Sequence, residues 1–336
     1  MLRIDMHSHI LPREWPNLHE KYGVAGFPYV LRENDHADIM RDGKFFRRVT
    51  ENSWNPELRI AQYAEYGIQV QVVSTVPVMF SYWAAPEHTL ELARFLNDHI
   101  AGICAQYPKN YVGLATLPLQ APGMAIEEME RCYRELSLPG IQIGSHVNKW
   151  NLDDANLFPV FEAAADMGAA VFVHPWNMMG SAEMPNYWLP WLVGMPAELS
   201  RAICCMIFGG VLERLPNLRV CFAHGGGSFP ATIGRIEHGW RMRPDLVAVD
   251  NPVNPREYLG KFYVDSVVHD PVALRNLLEV VGKNRVAMGT DYPFPLGEQK
   301  PGTVIEALDA PQALQERLFH GTALEWLDLD AARFDQ

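Results

Sequence analysis

No CxxC pair occurs in this sequence, and five cysteines (Cys104, Cys132, Cys204, Cys205 and Cys221) are spread through its 336 residues. All five fall in segments that read as helix or strand. They read as reduced core residues in a reducing compartment rather than a disulfide framework. Positive charge is also scarce: 28 Lys and Arg against 40 Asp and Glu leave a formal charge of -12. That balance disfavours nucleic acid or an anionic membrane as a partner. It does not exclude a small anionic substrate held in a local basic pocket. No uninterrupted apolar run approaches the ~20 residues of a membrane span. The opening MLRIDMHSHI has a short apolar run with an acid inside it, unlike a secretory signal. A cytoplasmic setting is expected. Linkers and tandem repeats are absent, and no Gly-rich turn follows the first strand, as a doubly wound nucleotide-binding sheet would normally show.

What is present is material for a large core, with 48% of residues hydrophobic. Eight short β-branched-rich segments read as strands, at 3–6, 70–74, 111–116, 140–144, 169–173, 218–222, 261–265 and 285–289. Helical patterns separate most of them, at 56–66, 87–105, 123–136, 154–167, 200–208, 229–240 and 271–281. Eightfold strand–helix alternation predicts an α/β fold, a distorted TIM (β/α)8 barrel, with residues 1–336 as a single domain. The distortion is an insertion over about 10–58, directly after strand one. Pro12, Trp15, Pro16, Gly23, Gly26 and Pro28 break it, and Lys44, Arg47 and Arg48 cluster around Phe45 and Phe46. It is expected to be small and irregular. Long inserts of this kind tend to be functional.

Barrel chemistry sits at the carboxyl ends of the strands, and polar residues recur there. His7 and His9 end strand one, His174 strand five, His224 strand six and Asp291 strand eight. In a strand, side chains at i and i+2 share a side, so the His7–His9 pair can offer two imidazoles to one cation. Three histidines and a carboxylate suit zinc or a similar borderline ion. Taken singly, Asp291 could be a turn acid, His174 a core residue and His224 part of a glycine loop. Their common placement argues against coincidence.

The longer motifs go further. Asp5-Met6-His7-Ser8-His9, Ser74 to Phe80, His174-Pro175-Trp176, Trp188-Leu189-Pro190-Trp191, Ala223-His224-Gly225-Gly226-Gly227 and Thr290 to Glu298 together resemble the amidohydrolase superfamily, in its decarboxylase branch. The resemblance implies one Zn2+ per subunit, bound by His7, His9, His174 and Asp291, with His224 as catalytic acid/base rather than ligand. It implies nonoxidative decarboxylation of a small anionic substrate approached by Arg47 and Lys44, with Trp188 and Phe294 lining the pocket. It also implies a homodimer in which Arg235 serves the neighbouring subunit's site. One departure is Asn177, where the family often has aspartate. Hydrolysis of an amide, ester or lactone, decarboxylation of a hydroxybenzoate, and a non-catalytic barrel with a vestigial metal site are the alternative readings.

Overall fold

In the computed structural model, which describes residues 1–33 and 36–335, eleven strands fall into two sheets. The strands are β1 (Ile4–His9), β2 (Pro28–Arg32), β3 (His36–Arg41), β4 (Lys44–Thr50), β5 (Val70–Ser74), β6 (Tyr111–Ala115), β7 (Gly140–Gly144), β8 (Ala170–His174), β9 (Val220–Phe222), β10 (Tyr263–Asp265) and β11 (Val286–Ala287). The larger sheet has the order β1-β5-β6-β7-β8-β9-β10-β11, and its neighbours pair in parallel. The ring is drawn together between its first and last strands. Met6 N donates to Met288 O at 2.9 Å, His9 N donates to Tyr292 O at 2.8 Å, and Ser8 bridges Tyr292. This is the expected eight-stranded barrel. Every residue of β5 through β8 is buried, because helices cover one face and packed side chains fill the other.

The helices start where the local chemistry dictates. Pro56–Ala64, Pro86–Gln106, Pro122–Arg134 and Pro271–Val281 each open on proline, whose fixed φ and missing N–H suit a first turn. Asn55 caps the first by accepting from Glu57 N and Leu58 N at 3.0 and 3.1 Å. Asp270 caps the last in the same way. One helical stretch, Pro190–Phe208, is long and apolar enough to cross a membrane by length and composition. In the fold it contains Glu198 and Arg201, and it turns Leu199, Ala202, Ile203, Met206 and Ile207 into the barrel's core. The five cysteines are free thiols. Burial pushes Cys204 up to about 11 and Cys104 up to about 12, so both are held as unreactive thiols.

The insertion differs from the expected irregular excursion. It carries an antiparallel sheet of the order β2-β3-β4. Asp42 and Gly43 both take positive φ, 52° and 72°, and turn β3 into β4 as an Asp-Gly hairpin. Ala37 and Ile39 alternate inward and join Leu11, Trp15, Phe27 and Val49 in a second apolar cluster, which also contains Val76, Val78 and Phe294 from the barrel mouth. The breakers Pro12, Pro16, Gly23 and Gly26 precede the strands rather than interrupt them, and the like pairs Ile39-Met40, Phe45-Phe46 and Arg47-Arg48 hide the alternation.

Glu128 locks two outer helices together. Its fully buried carboxylate accepts from Asn97 Nδ2 at 2.8 Å, Arg131 Nη2 at 2.7 Å and Arg94 Nε at 3.1 Å. Burial alone would raise its pKa, but Arg131, Asn97 and Arg94 outweigh it and hold the carboxyl below its ordinary value. A carboxylate depressed in the folded state stabilises above its unfolded pKa and loses that contribution as pH falls through the folded one. Glu128→Gln is therefore expected to cost about 2 kcal/mol at pH 7. The deficit should shrink on acidification below about pH 4, read by denaturant unfolding of both proteins across pH. A deficit independent of pH would contradict the ionic account.

Candidate metal centre and its cavity

The centre is assembled from four residues at the carboxyl ends of three barrel strands. His7 and His9 lie inside β1, not beyond it, where pairing with β5 shifts register between Asp5 and Ser8. Two residues apart on one strand, both rings point to the same side, with Nε2 atoms 3.2 Å apart. His174 ends β8. Asp291 follows β11 with φ 59°, a left-handed conformation that aspartate tolerates better than most residues. One ligand atom from each of His7, His9, His174 and Asp291 lies within 4.8 Å of all the others, and all four residues are buried. Asp291 Oδ1 is 3.4 Å from His7 Nε2 and 3.1 Å from His9 Nε2.

The tautomers decide whether this donor set fits a cation. His7 Nδ1 faces Asp265 Oδ2 at 2.6 Å, His9 Nδ1 faces Thr75 O at 3.0 Å, and His174 Nδ1 faces Pro175 O at 2.9 Å. Each partner only accepts, so each Nδ1 must donate and each Nε2 points inward. His174 Nε2 and Asp291 Oδ1 are buried with no hydrogen-bond partner. Leaving such atoms unpaired costs about 1–3 kcal/mol each, so the set fits a divalent cation. Burial lowers His9 and His174 and keeps them neutral. Burial would lower His7 too, but Asp265 and Asp291 beside it push it up to about 10; the neutral ring is the ligating form, so a cation on Nε2 would displace that proton. Burial would raise Asp291, yet His224, His7 and His9 hold its carboxyl well below the usual range.

His224 stands beside the ligand set. Its Nε2 is 3.6 Å from Asp291 Oδ2, and its ring centroid is 5.2 Å from that of His174. It takes φ 50°, and Gly225, Gly226 and Gly227 after it take 60°, 75° and 63°. A Cβ on Gly227 would sit 2.3 Å from Pro196 O, so only glycine lets the turn pass there. The glycines read as a loop-forming element, and they set the ring of His224 at the mouth.

Above the centre opens a cavity of about 230 Å3. His9, His174 and Asp291 form its floor, and Trp176, Trp188, Trp191 and Phe294 are among its walls. Arg41 and Arg47 reach it from the inserted sheet. The Arg47 guanidinium lies 4.4 Å over the Phe294 ring, and burial pulls it below its ordinary pKa while Asp291 opposes that shift. Neither arginine has a carboxylate within 4 Å among the described residues. Unneutralised guanidinium groups facing an apolar-walled cavity are a receptor for carboxylate. One expected substrate contact falls elsewhere. Lys44 is exposed at the start of β4, opposite Arg41 across the hairpin, and does not line the cavity. Arg235 is exposed on the helix Phe229–Met242 and does not line its own chain's cavity. Asn177 does line it.

Sequence reasoning passed over the groups that hold the centre in place. Asp5, fully buried, accepts from Tyr63 Oη and Thr290 Oγ1 at 2.6 Å each, and from Thr290 N and His7 N at 3.0 Å each. Burial pushes it up to about 6 against those donors. It ties the first ligand strand to the turn that presents Asp291. Arg59 donates to His9 O at 2.7 Å and stacks 4.7 Å over Tyr292. For Asp265 the signal was an acid at the end of strand seven, where the other strands carry ligands.

Fold and centre together define a metal-binding (β/α)8 barrel, and the chain belongs to the amidohydrolase family, whose model matches residues 4–329. Within it, the chain is closely related to 2-amino-3-carboxymuconate-6-semialdehyde decarboxylase. It is 57% identical to that enzyme of Dictyostelium discoideum over 339 residues, covering 99% of this chain and 93% of the relative. The Caenorhabditis elegans enzyme is 37% identical over 380 residues, covering 98% and 94%. Among solved structures, 5-carboxyvanillate decarboxylase from Sphingomonas paucimobilis superposes with a TM-score of 0.76 at 26% identity, covering 83% of this chain and 85% of that one.

Proposed function

We propose that this protein is a zinc-dependent carboxy-lyase that converts 2-amino-3-carboxymuconate 6-semialdehyde to 2-aminomuconate 6-semialdehyde and CO2, as a step of 3-hydroxyanthranilate and tryptophan breakdown in the cytoplasm. Residues 1–336 act as one catalytic domain. The observation that carries the reading is the meeting of three Nε2 atoms and Asp291 beneath an arginine-bearing cavity, in a chain 57% identical to such an enzyme. A divalent ion at His7, His9, His174 and Asp291 would supply Lewis-acid polarisation and a bound water of lowered pKa.

The chain's own residues supply the rest. The electron pair left by departing CO2 must meet a proton, and His224 Nε2 is the mobile proton site at the mouth. Asp291 Oδ2, 3.6 Å away, orients that nitrogen. Arg47 holds a substrate carboxylate through a bidentate contact that lysine would not copy. Trp188 and Phe294 wall the cavity and limit the water that reaches the reacting carbons. The test is to generate the semialdehyde enzymatically, add zinc-loaded protein, and follow its chromophore together with CO2. Chromophore loss with CO2 release supports the reading. A rate equal to spontaneous cyclisation rejects it, and turnover of a hydroxybenzoate instead would move the activity to that branch.

Arg235 completes the proposal. Its exposure on a surface helix, away from its own cavity, suits a residue offered to the site of a second copy. If so, two inactive proteins complement each other. Arg235→Ala mixed with an equal amount of His224→Ala and allowed to re-pair should recover about a quarter of wild-type activity, since half the dimers are mixed and each holds one complete site. No recovery above the separate variants would remove Arg235 from the site of the neighbouring subunit.

A further inference from the structure

We propose that Asp265 is the positioning residue of the centre, fixing the tautomer of the ligand His7 with one oxygen and the placement of His224 with the other. The inference rests on the metal-centre reading above.

Asp265 ends β10 and is fully buried. Its Oδ2 accepts from His7 Nδ1 at 2.6 Å. Its Oδ1 accepts from Gly225 N at 2.9 Å and from Val267 N at 3.1 Å. Gly225 is the residue after His224, so one carboxylate grips a ligand and the turn that carries the acid/base group. The close approach is built in. Gly289 packs beside the pair, and a Cβ there would lie 2.8 Å from Asp265 Cβ and 3.0 Å from His7 Cβ.

The two oxygens face different demands. Both accept: Oδ2 faces His7 Nδ1, and Oδ1 takes the N–H groups of Gly225 and Val267. An amide cannot serve both sides. In Asp265→Asn the carbonyl oxygen must face the Gly225 and Val267 N–H groups, because the reverse flip sets NH2 against two donors. The amide NH2 then faces His7 Nδ1. That nitrogen can only accept, so the proton of neutral His7 moves to Nε2, the atom directed at the metal. Asp265→Ala behaves differently. It frees space for a water, which can accept from Nδ1–H and preserve the ligating tautomer, but it releases the Gly225 anchor.

Two opposite rankings follow. The isosteric Asn variant should bind metal more weakly than the Ala variant. Expected losses are roughly 10-fold for Ala and above roughly 100-fold for Asn, bracketing the usual cost of losing an outer partner. At saturating metal the order reverses, with Ala showing the lower kcat because His224 is no longer held. A purely structural role predicts Asn milder than Ala on every measure. The experiment titrates Zn2+ and Co2+ into apo wild type, Asp265→Asn and Asp265→Ala against a chromophoric chelator, with unfolding of each apo protein as the control. Should Ala not fold, Asp265→Ser takes its place. Metal affinity in the order wild type, Ala, Asn supports the proposal. Asn binding as tightly as wild type, or more tightly than Ala, overturns it. Wild type taking up neither ion overturns the metal centre itself, a result distinct from any ranking among variants.

Discussion

His224→Ala is expected to retain its metal and lose roughly 10^3-fold in kcat/KM, or about 4 kcal/mol of transition-state stabilisation. Retention follows from geometry. The four ligand atoms that lie within 4.8 Å of one another come from His7, His9, His174 and Asp291. His224 comes to 3.6 Å of Asp291 Oδ2 and packs its ring beside those of His7 and His174, outside the four ligand places. The loss follows from position, since His224 stands beside the ligand set without holding any of its four places. The variant needs a backbone control. His224 sits at φ 50°, where alanine pays about 1–2 kcal/mol of local strain and asparagine much less. His224→Asn should therefore match Ala in lost turnover while staying closer to wild type in Tm. Metal analysis beside steady-state kinetics decides the matter. A metal-depleted His224→Asn protein would make His224 a ligand and end the acid/base assignment.

Much of this centre was legible before any coordinates, because a barrel converts strand order into spatial convergence. His7, His9, His174, His224 and Asp291 share nothing in sequence except their place after an apolar run, and that place sufficed. The helix starts were equally readable, since Pro56, Pro122 and Pro271 carry their own first-turn chemistry. What stayed hidden has two causes. Pairing partners such as His7 with Asp265, or Asp5 with Thr290, are separated by 258 and 285 positions and announce no spacing. Side-chain direction was the second. Lys44 and Arg41 face each other across one hairpin, and only the register of the inserted sheet decides which of them reaches the cavity. The Asp42-Gly43 turn that sets this register was visible, but its meaning depends on recognising the flanking residues as strands, which the like pairs Ile39-Met40, Phe45-Phe46 and Arg47-Arg48 obscure.

Asp291→Asn should weaken metal binding by well over roughly 100-fold with little change to the fold. Asn keeps the side-chain shape and accepts φ 59°, so the turn held by Asp291 N to His7 O at 2.8 Å persists. What disappears is the negative charge. Three neutral imidazoles alone bind a divalent ion without any anionic donor, and the buried setting makes the uncompensated charge costly. Affinity should fall by well over the roughly 10–100-fold that follows loss of an outer partner, and turnover should reach background. Thermal unfolding provides a reading independent of activity. A ligand that binds only the folded state adds RT ln(1 + [L]/Kd), about 4 kcal/mol at a thousand times Kd. Wild-type Tm should therefore rise by several degrees with added zinc, at about 1–2 °C per kcal/mol for a chain of 336 residues. The Asp291→Asn protein should begin near the wild-type apo Tm and stay there. An equal zinc-induced rise in both proteins would place the ion elsewhere than on Asp291.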